Sequence, residues 1–104
     1  MEGKGFSKDL NDLIQFPKEG IFSKVISKTE NADTTLMCLA AETYIDEHTS
    51  TKDGVVYVLQ GTGTFTLFDK KIEMKPGIFI FMPKNAPHSL KANENVAILL
   101  VLTK

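Results

Sequence analysis

The chain has two histidines, His48 and His88. Imidazole is the side chain that most readily serves either as a neutral metal ligand or as a hydrogen-bonding group near neutral pH. His48 follows Ile45-Asp46-Glu47 and precedes Thr49-Ser50. On a strand, residues two apart share a face, so Asp46, His48 and Ser50 are expected to point the same way. His88 opens a second alternation, with His88, Leu90 and Ala92 on one face and Ser89 and Lys91 on the other. Only the first of these faces suits an interior, so His88 is expected inside. A carboxylate beside two inward imidazoles is a donor set that holds non-haem iron with open positions. Asp46 and Asp53 are the candidate carboxylates, and Asp53 needs a backbone irregularity to reach inward. Tyr57 is a candidate to bond a ligand at the mouth of a cavity, with packing as its other role. The plainer alternatives are a half-exposed strand residue for His48 and a hydrogen-bonded core histidine for His88. Ser50 has no triad pattern around it. Cys38, the one cysteine, lies in an apolar run and reads as a small buried hydrophobe.

The elements that must position these residues are short. Residues 78–82, Ile-Phe-Ile-Phe-Met, lie between Pro76-Gly77 and Pro83 and read as a strand buried on both faces. Pro83-Lys84-Asn85-Ala86-Pro87 is too proline-rich to continue a ladder and must be a loop. Asn85 tolerates a left-handed backbone better than most residues. Upstream, Ser7 is expected to cap a helical turn carrying Leu10, Leu13 and Ile14, ended by Pro17 and Gly20, with a short strand as the alternative. Residues 21–28 alternate as a strand with one wet face. Residues 34–44 read as a strand that continues into 45–50, and residues 51–54 as a hairpin connection. Strands follow at 55–60, 64–68, 72–74 and 96–102. Many short strands with frequent turn signals argue for an all-β antiparallel sandwich or barrel.

The 104 residues suffice for one domain, taken as 1–104 with an N-terminal arm at 1–20. Twelve basic residues against 13 acidic ones, with no long run of either sign, give no sign of nucleic acid or an anionic membrane as partner. No apolar run has the length of a membrane span. The polar start, Met1 to Gly5, has no apolar signal region behind it. A lone cysteine suits a reducing compartment, and a cytoplasmic location is expected. The apolar residues of strands 21–28 and 96–102 exceed what one small barrel hides, so a homodimer is expected.

Gly77, Pro83 and His88, with a loop between the last two, resemble the second signature of the cupin family. The first signature of that family has a His-x-His pair, then a Glu and later a Gly. Here His48 stands at the first His, Ser50 at the second, Gly54 at the Glu and Gly61 at the final Gly. Asn85 replaces a loop Gly. The resemblance spans roughly residues 35–102. It implies a cupin-like jelly-roll β-barrel (a double-stranded β-helix, RmlC-like) and a homodimer that exchanges N-terminal strands. It also implies a cavity holding His48, Ser50, Tyr57 and His88, with His48 and His88 as metal ligands. Since Ser50 and Gly54 replace two of the family's ligands, a divalent transition metal would be held weakly. Two functions remain open on this reading. One is a module whose cavity binds a small molecule, with or without a weakly held divalent ion. The other is a metal-dependent isomerase, lyase or dioxygenase of a small polar metabolite.

Overall fold

The computed structural model describes residues 4–104. A 3-10 turn, Leu10–Asp12, is followed by nine strands. These are β1 (Ile21–Lys28), β2 (Ala32–Leu39), β3 (Tyr44–His48), β4 (Gly54–Gln60) and β5 (Gly63–Leu67), then β6 (Lys70–Met74), β7 (Phe79–Met82), β8 (His88–Ala92) and β9 (Val96–Thr103). Every pairing is antiparallel. One sheet runs β1-β2-β9-β4-β7 and the other β3-β8-β5-β6. The chain passes repeatedly from one sheet to the other, which is the jelly-roll arrangement expected from the sequence.

The period-2 patterning explains how the two sheets close on each other. Leu39, Val56, Val58, Phe65, Leu90, Val96 and Ile98 meet in one buried cluster between them. The opposite face of the larger sheet carries a second cluster, Leu36, Cys38 and Ala97, under Leu13, Ile14 and Phe16 of the N-terminal arm. This is why β9 is apolar on both faces: one faces the core and part of the other lies beneath the arm. Cys38 is fully buried there, as a small hydrophobe. No helix among the described residues is long and apolar enough to cross a membrane.

Four local expectations are corrected. The helical turn is a 3-10 turn capped by Asp9, whose carboxylate accepts the Asn11 N–H at 3.0 Å; Ser7 takes no part. The strand expected across residues 34–50 is two strands in different sheets. Between them the chain turns a corner at Glu42, which has φ 70 and donates its N–H to the Ala92 carbonyl at 2.9 Å. Residues 51–54 likewise join two sheets rather than two hydrogen-bonded neighbours, so they form no hairpin. The apolar run of β7 is buried on one face only. Ile80 and Met82 point into the core, while Phe79 and Phe81 are 64% and 52% exposed, because β7 is the open edge of its sheet and no described residue covers its outer face.

Candidate functional site

The loop before β8 sets up the first histidine. Asn85 adopts the left-handed conformation, φ 68, as its side chain allows. Its N–H donates to the Ser50 carbonyl at 2.6 Å, tying the loop to the segment that follows β3. His88 then enters β8 as the one buried polar residue of the described chain, 8% exposed. Its ring stacks on Phe65, 5.9 Å between centroids and 4° between planes. His48, at the end of β3, is paired directly with His88 across the sheet. The two imidazoles meet edge to face with centroids 4.2 Å apart.

Both rings are held the same way. His88 Nδ1 lies 2.9 Å from the Ala86 carbonyl, and His48 Nδ1 lies 2.8 Å from the Asp46 carbonyl. A carbonyl only accepts, so each Nδ1 carries the proton and donates it. Each neutral ring therefore presents Nε2 as a lone pair. Through Nε2 such a ring can accept a hydrogen bond or ligate a metal.

The pair stands at the mouth of a cavity of about 160 Å³ between the sheets. Met37, Ile45, Val56, Phe65 and Met82 are among its walls, and the two imidazoles are the polar groups lining it. A larger depression, about 340 Å³, lies on the outer face of the smaller sheet among Tyr44, Thr64, Thr66, Lys71 and Lys91. It contains no histidine, and Lys91 is occupied with Glu42 at 3.3 Å. The smaller cavity is where the chemistry converges.

The other candidate residues are placed elsewhere. The β3–β8 pairing runs Ile45↔Leu90 and then His48↔His88, so three steps on β3 match two on β8. This bulge turns both Ile45 and His48 to the cavity and leaves Asp46 exposed outside, with only its carbonyl near the ring. Ser50 lies past the end of β3 and does not line the cavity. Its Oγ accepts the Lys52 N–H at 3.1 Å. Asp53 is exposed and holds the loop, its carboxylate accepting the Lys84 N–H at 2.8 Å. Tyr57 alternates with the inward Val56 and Val58 and so stands on the outer face of β4, opposite Phe79. Among the described residues, no group of three or more His, Cys, Asp or Glu converges on a point. The donors present do not fit a divalent ion that needs a carboxylate.

Gly54 faces inward with Val56. A Cβ there would lie 2.9 Å from Met82 Cε and 2.8 Å from Leu102 Cδ2. The tip of Met82 thus occupies the space beside the bare backbone of β4. The bulge that selects Ile45 has no sequence signal.

Comparison with known proteins agrees with this architecture. The sequence pattern of the family described as Cupin domain matches residues 35–103. An uncharacterized protein of Methanocaldococcus jannaschii is 30% identical over 63 residues, covering 61% of this chain. The chain spans about half the length of that curated relative, 50%. A conserved protein of unknown function from Streptococcus pyogenes superposes with a TM-score of 0.85 at 26% identity, covering 95% of this chain and 87% of its own. An RmlC-like cupin protein from Desulfovibrio desulfuricans does so with a TM-score of 0.85 at 20% identity, covering 95% and 96%.

Proposed function

The chain belongs to the cupin domain family, and on that premise we propose that its barrel cavity binds one small molecule with an apolar body and a hydrogen-bond-donating head. The observation that carries this reading is the pair of Nδ1-anchored imidazoles opening on an apolar space. Apolar cavities of about 150 Å³ hold a benzene-sized guest, and the space here is about 160 Å³. A hydroxyl on such a guest would donate to Nε2 of His88 or His48. A polyhydroxylated or charged metabolite fits poorly, because each polar group buried without a partner costs about 1–3 kcal/mol and the walls offer no other partners. The enzymatic alternative, an isomerase, lyase or dioxygenase working through a divalent ion, needs a third ligand that the site lacks.

Phenol is a suitable probe. Calorimetric titration should show it binding, and toluene, which lacks the hydroxyl, binding more weakly. One neutral hydrogen bond contributes about 1 kcal/mol, so losing it weakens binding about three- to tenfold. His48→Ala, at the exposed mouth, and His88→Ala should each reduce phenol affinity on that scale and leave toluene unaffected. His88→Ala should also lower thermal stability, since it leaves the Ala86 carbonyl without its donor. If neither probe binds, the space is only a packing defect and the reading fails. Equal binding of both probes, unchanged by the variants, would remove the histidines from it.

We also infer that two copies of the chain associate through the outer face of β4 and β7. Tyr57, Phe79 and Phe81 form an exposed aromatic row there, 40%, 64% and 52% exposed. Tyr57 and Phe79 are direct cross-strand neighbours. β7 is also an open sheet edge, and the same edge on a second copy can pair with it about a twofold axis. This reading keeps the homodimer expected from the apolar residues of 21–28 and 96–102 and proposes the β7 edge as its seat. Light scattering should give twice the chain mass, and Phe79→Glu combined with Phe81→Lys should give a folded monomer. A monomeric wild type at all micromolar concentrations would overturn this.

A further inference from the structure

The cavity holds two thioethers as well as two imidazoles. Met37 and Met82 line it beside His48 and His88. Met82 is 4% exposed, and its methyl lies where β4 offers no side chain, at Gly54. None of Asp46, Glu47 and Asp53, the acids nearest His48 in sequence, lines the cavity. The chain's one thiol, Cys38, is buried in the separate cluster under the N-terminal arm.

We propose that this cavity is a site for a soft monovalent metal ion of the Cu(I) kind, held by Nε2 of His48 and His88 with the thioethers of Met82 and Met37 as the remaining donors. The proposal rests on the reading that the two Nε2 atoms are the polar end of the cavity. Two physical reasons lead to it. The first is charge. All four donors are neutral, so nothing in the cavity compensates the ion. The cost of moving an ion out of water grows with the square of its charge, so a monovalent ion pays about a quarter of what a divalent ion of the same size pays. The second is softness. Thioethers are weak ligands for hard ions and good ones for Cu(I), and neutral imidazole suits copper as well. The Nδ1–H donations to the Asp46 and Ala86 carbonyls add to both. They hold each ring with Nε2 free, as the outer partners of metal-bound histidines do. The missing carboxylate at Gly54 then becomes a selectivity feature: it removes the charge that a divalent ion requires and makes room for a sulfur-bearing side chain.

Ag(I) is a redox-inert probe for such a site. Protein carrying 13C-methyl methionine should show the Met37 and Met82 methyl signals moving together and saturating at one Ag(I) per chain. Met74 is fully buried in the same core but does not line the cavity, so its signal should stay in place. Zn²⁺ at the same concentration should move none of the three. Cu(I), kept reduced with ascorbate and measured against a competing chelator, should bind the wild type. Met82→Leu, which preserves volume, should weaken Cu(I) binding about tenfold or more. Still Met37 and Met82 signals with Ag(I), a response confined to the surroundings of Cys38, or an equal response to Zn²⁺ would each overturn the proposal. Phenol binding without an Ag(I) response refutes the ion site and leaves the small-molecule reading standing. An Ag(I) response without phenol binding does the reverse.

Discussion

Gly61→Ala should be strongly destabilising, lowering the melting temperature by many degrees. Gly61 joins β4 to β5 with φ +86, a conformation that costs an L-residue about 1–2 kcal/mol. The surroundings add far more. A Cβ at this position would run into the carbonyl oxygen of Asn95 and stand 2.8 Å from both Asn95 C and Val96 Cα. These are backbone atoms at the start of β9, where Val96 is fully buried, so they cannot swing aside as a side-chain tip would. Strain and overlap together should cost about 3 kcal/mol or more, a large part of the roughly 5–15 kcal/mol that holds a domain folded. Gly20→Ala is the control. Gly20 has φ +79, but nothing lies within 4 Å of its Cβ position, so it should lose only about 1 kcal/mol. Thermal melts followed by circular dichroism would separate the two. A Gly61→Ala protein melting within a few degrees of the wild type would show that the β4–β5 turn does not press on Asn95. The same contact gives a physical reason for a glycine at the end of the first cupin signature: the turn runs against the backbone that begins β9.

The second large effect is a gain of function. Gly54→Glu combined with Met82→Ala should convert the cavity to a site for divalent ions. Gly54 faces inward on β4 beside the tip of Met82, which lines the histidines' cavity, and its backbone is ordinary extended strand with no left-handed turn to protect. A glutamate there supplies the negative oxygen donor that completes a set of two histidines and one carboxylate. Met82→Ala removes the methyl 2.9 Å from the new Cβ, and the flexible tip of Leu102 must yield the rest. Zn²⁺ affinity should rise by about a hundredfold or more. Without metal the variant should be less stable than the wild type, because it buries a carboxylate. Zn²⁺ should restore its melting temperature, since an ion that binds only the folded state stabilises it. Competition with a fluorescent chelator and melts with and without Zn²⁺ would measure both effects. Ser50→His alone should gain nothing, because Ser50 lies beyond the end of β3 and outside the cavity. If Ser50→His bound Zn²⁺ tightly and the glutamate variant did not, the register assigned to the two segments would be wrong.

The sequence by itself determined the fold class and the place of one histidine. Period-2 alternation and closely spaced turn residues define an antiparallel all-β chain, and the span 21–28 is β1 to the residue. The proline-rich loop, the left-handed Asn85 and the inward His88 were readable because each depends on local backbone chemistry. Tertiary structure decided the rest, for two reasons. Alternation tells which residues share a face only while the register is unbroken. The bulge between Ile45 and His48 broke it, exchanging Asp46 for Ile45 in the cavity and leaving the two imidazoles without a carboxylate. Nor does alternation say which face of a strand will be covered, because that depends on strands distant in sequence. Tyr57 and Phe79 face solvent since no element among the described residues lies over the outer side of β4 and β7, whereas Met37 and Met82 entered the cavity because the second sheet closed over them beside the histidines.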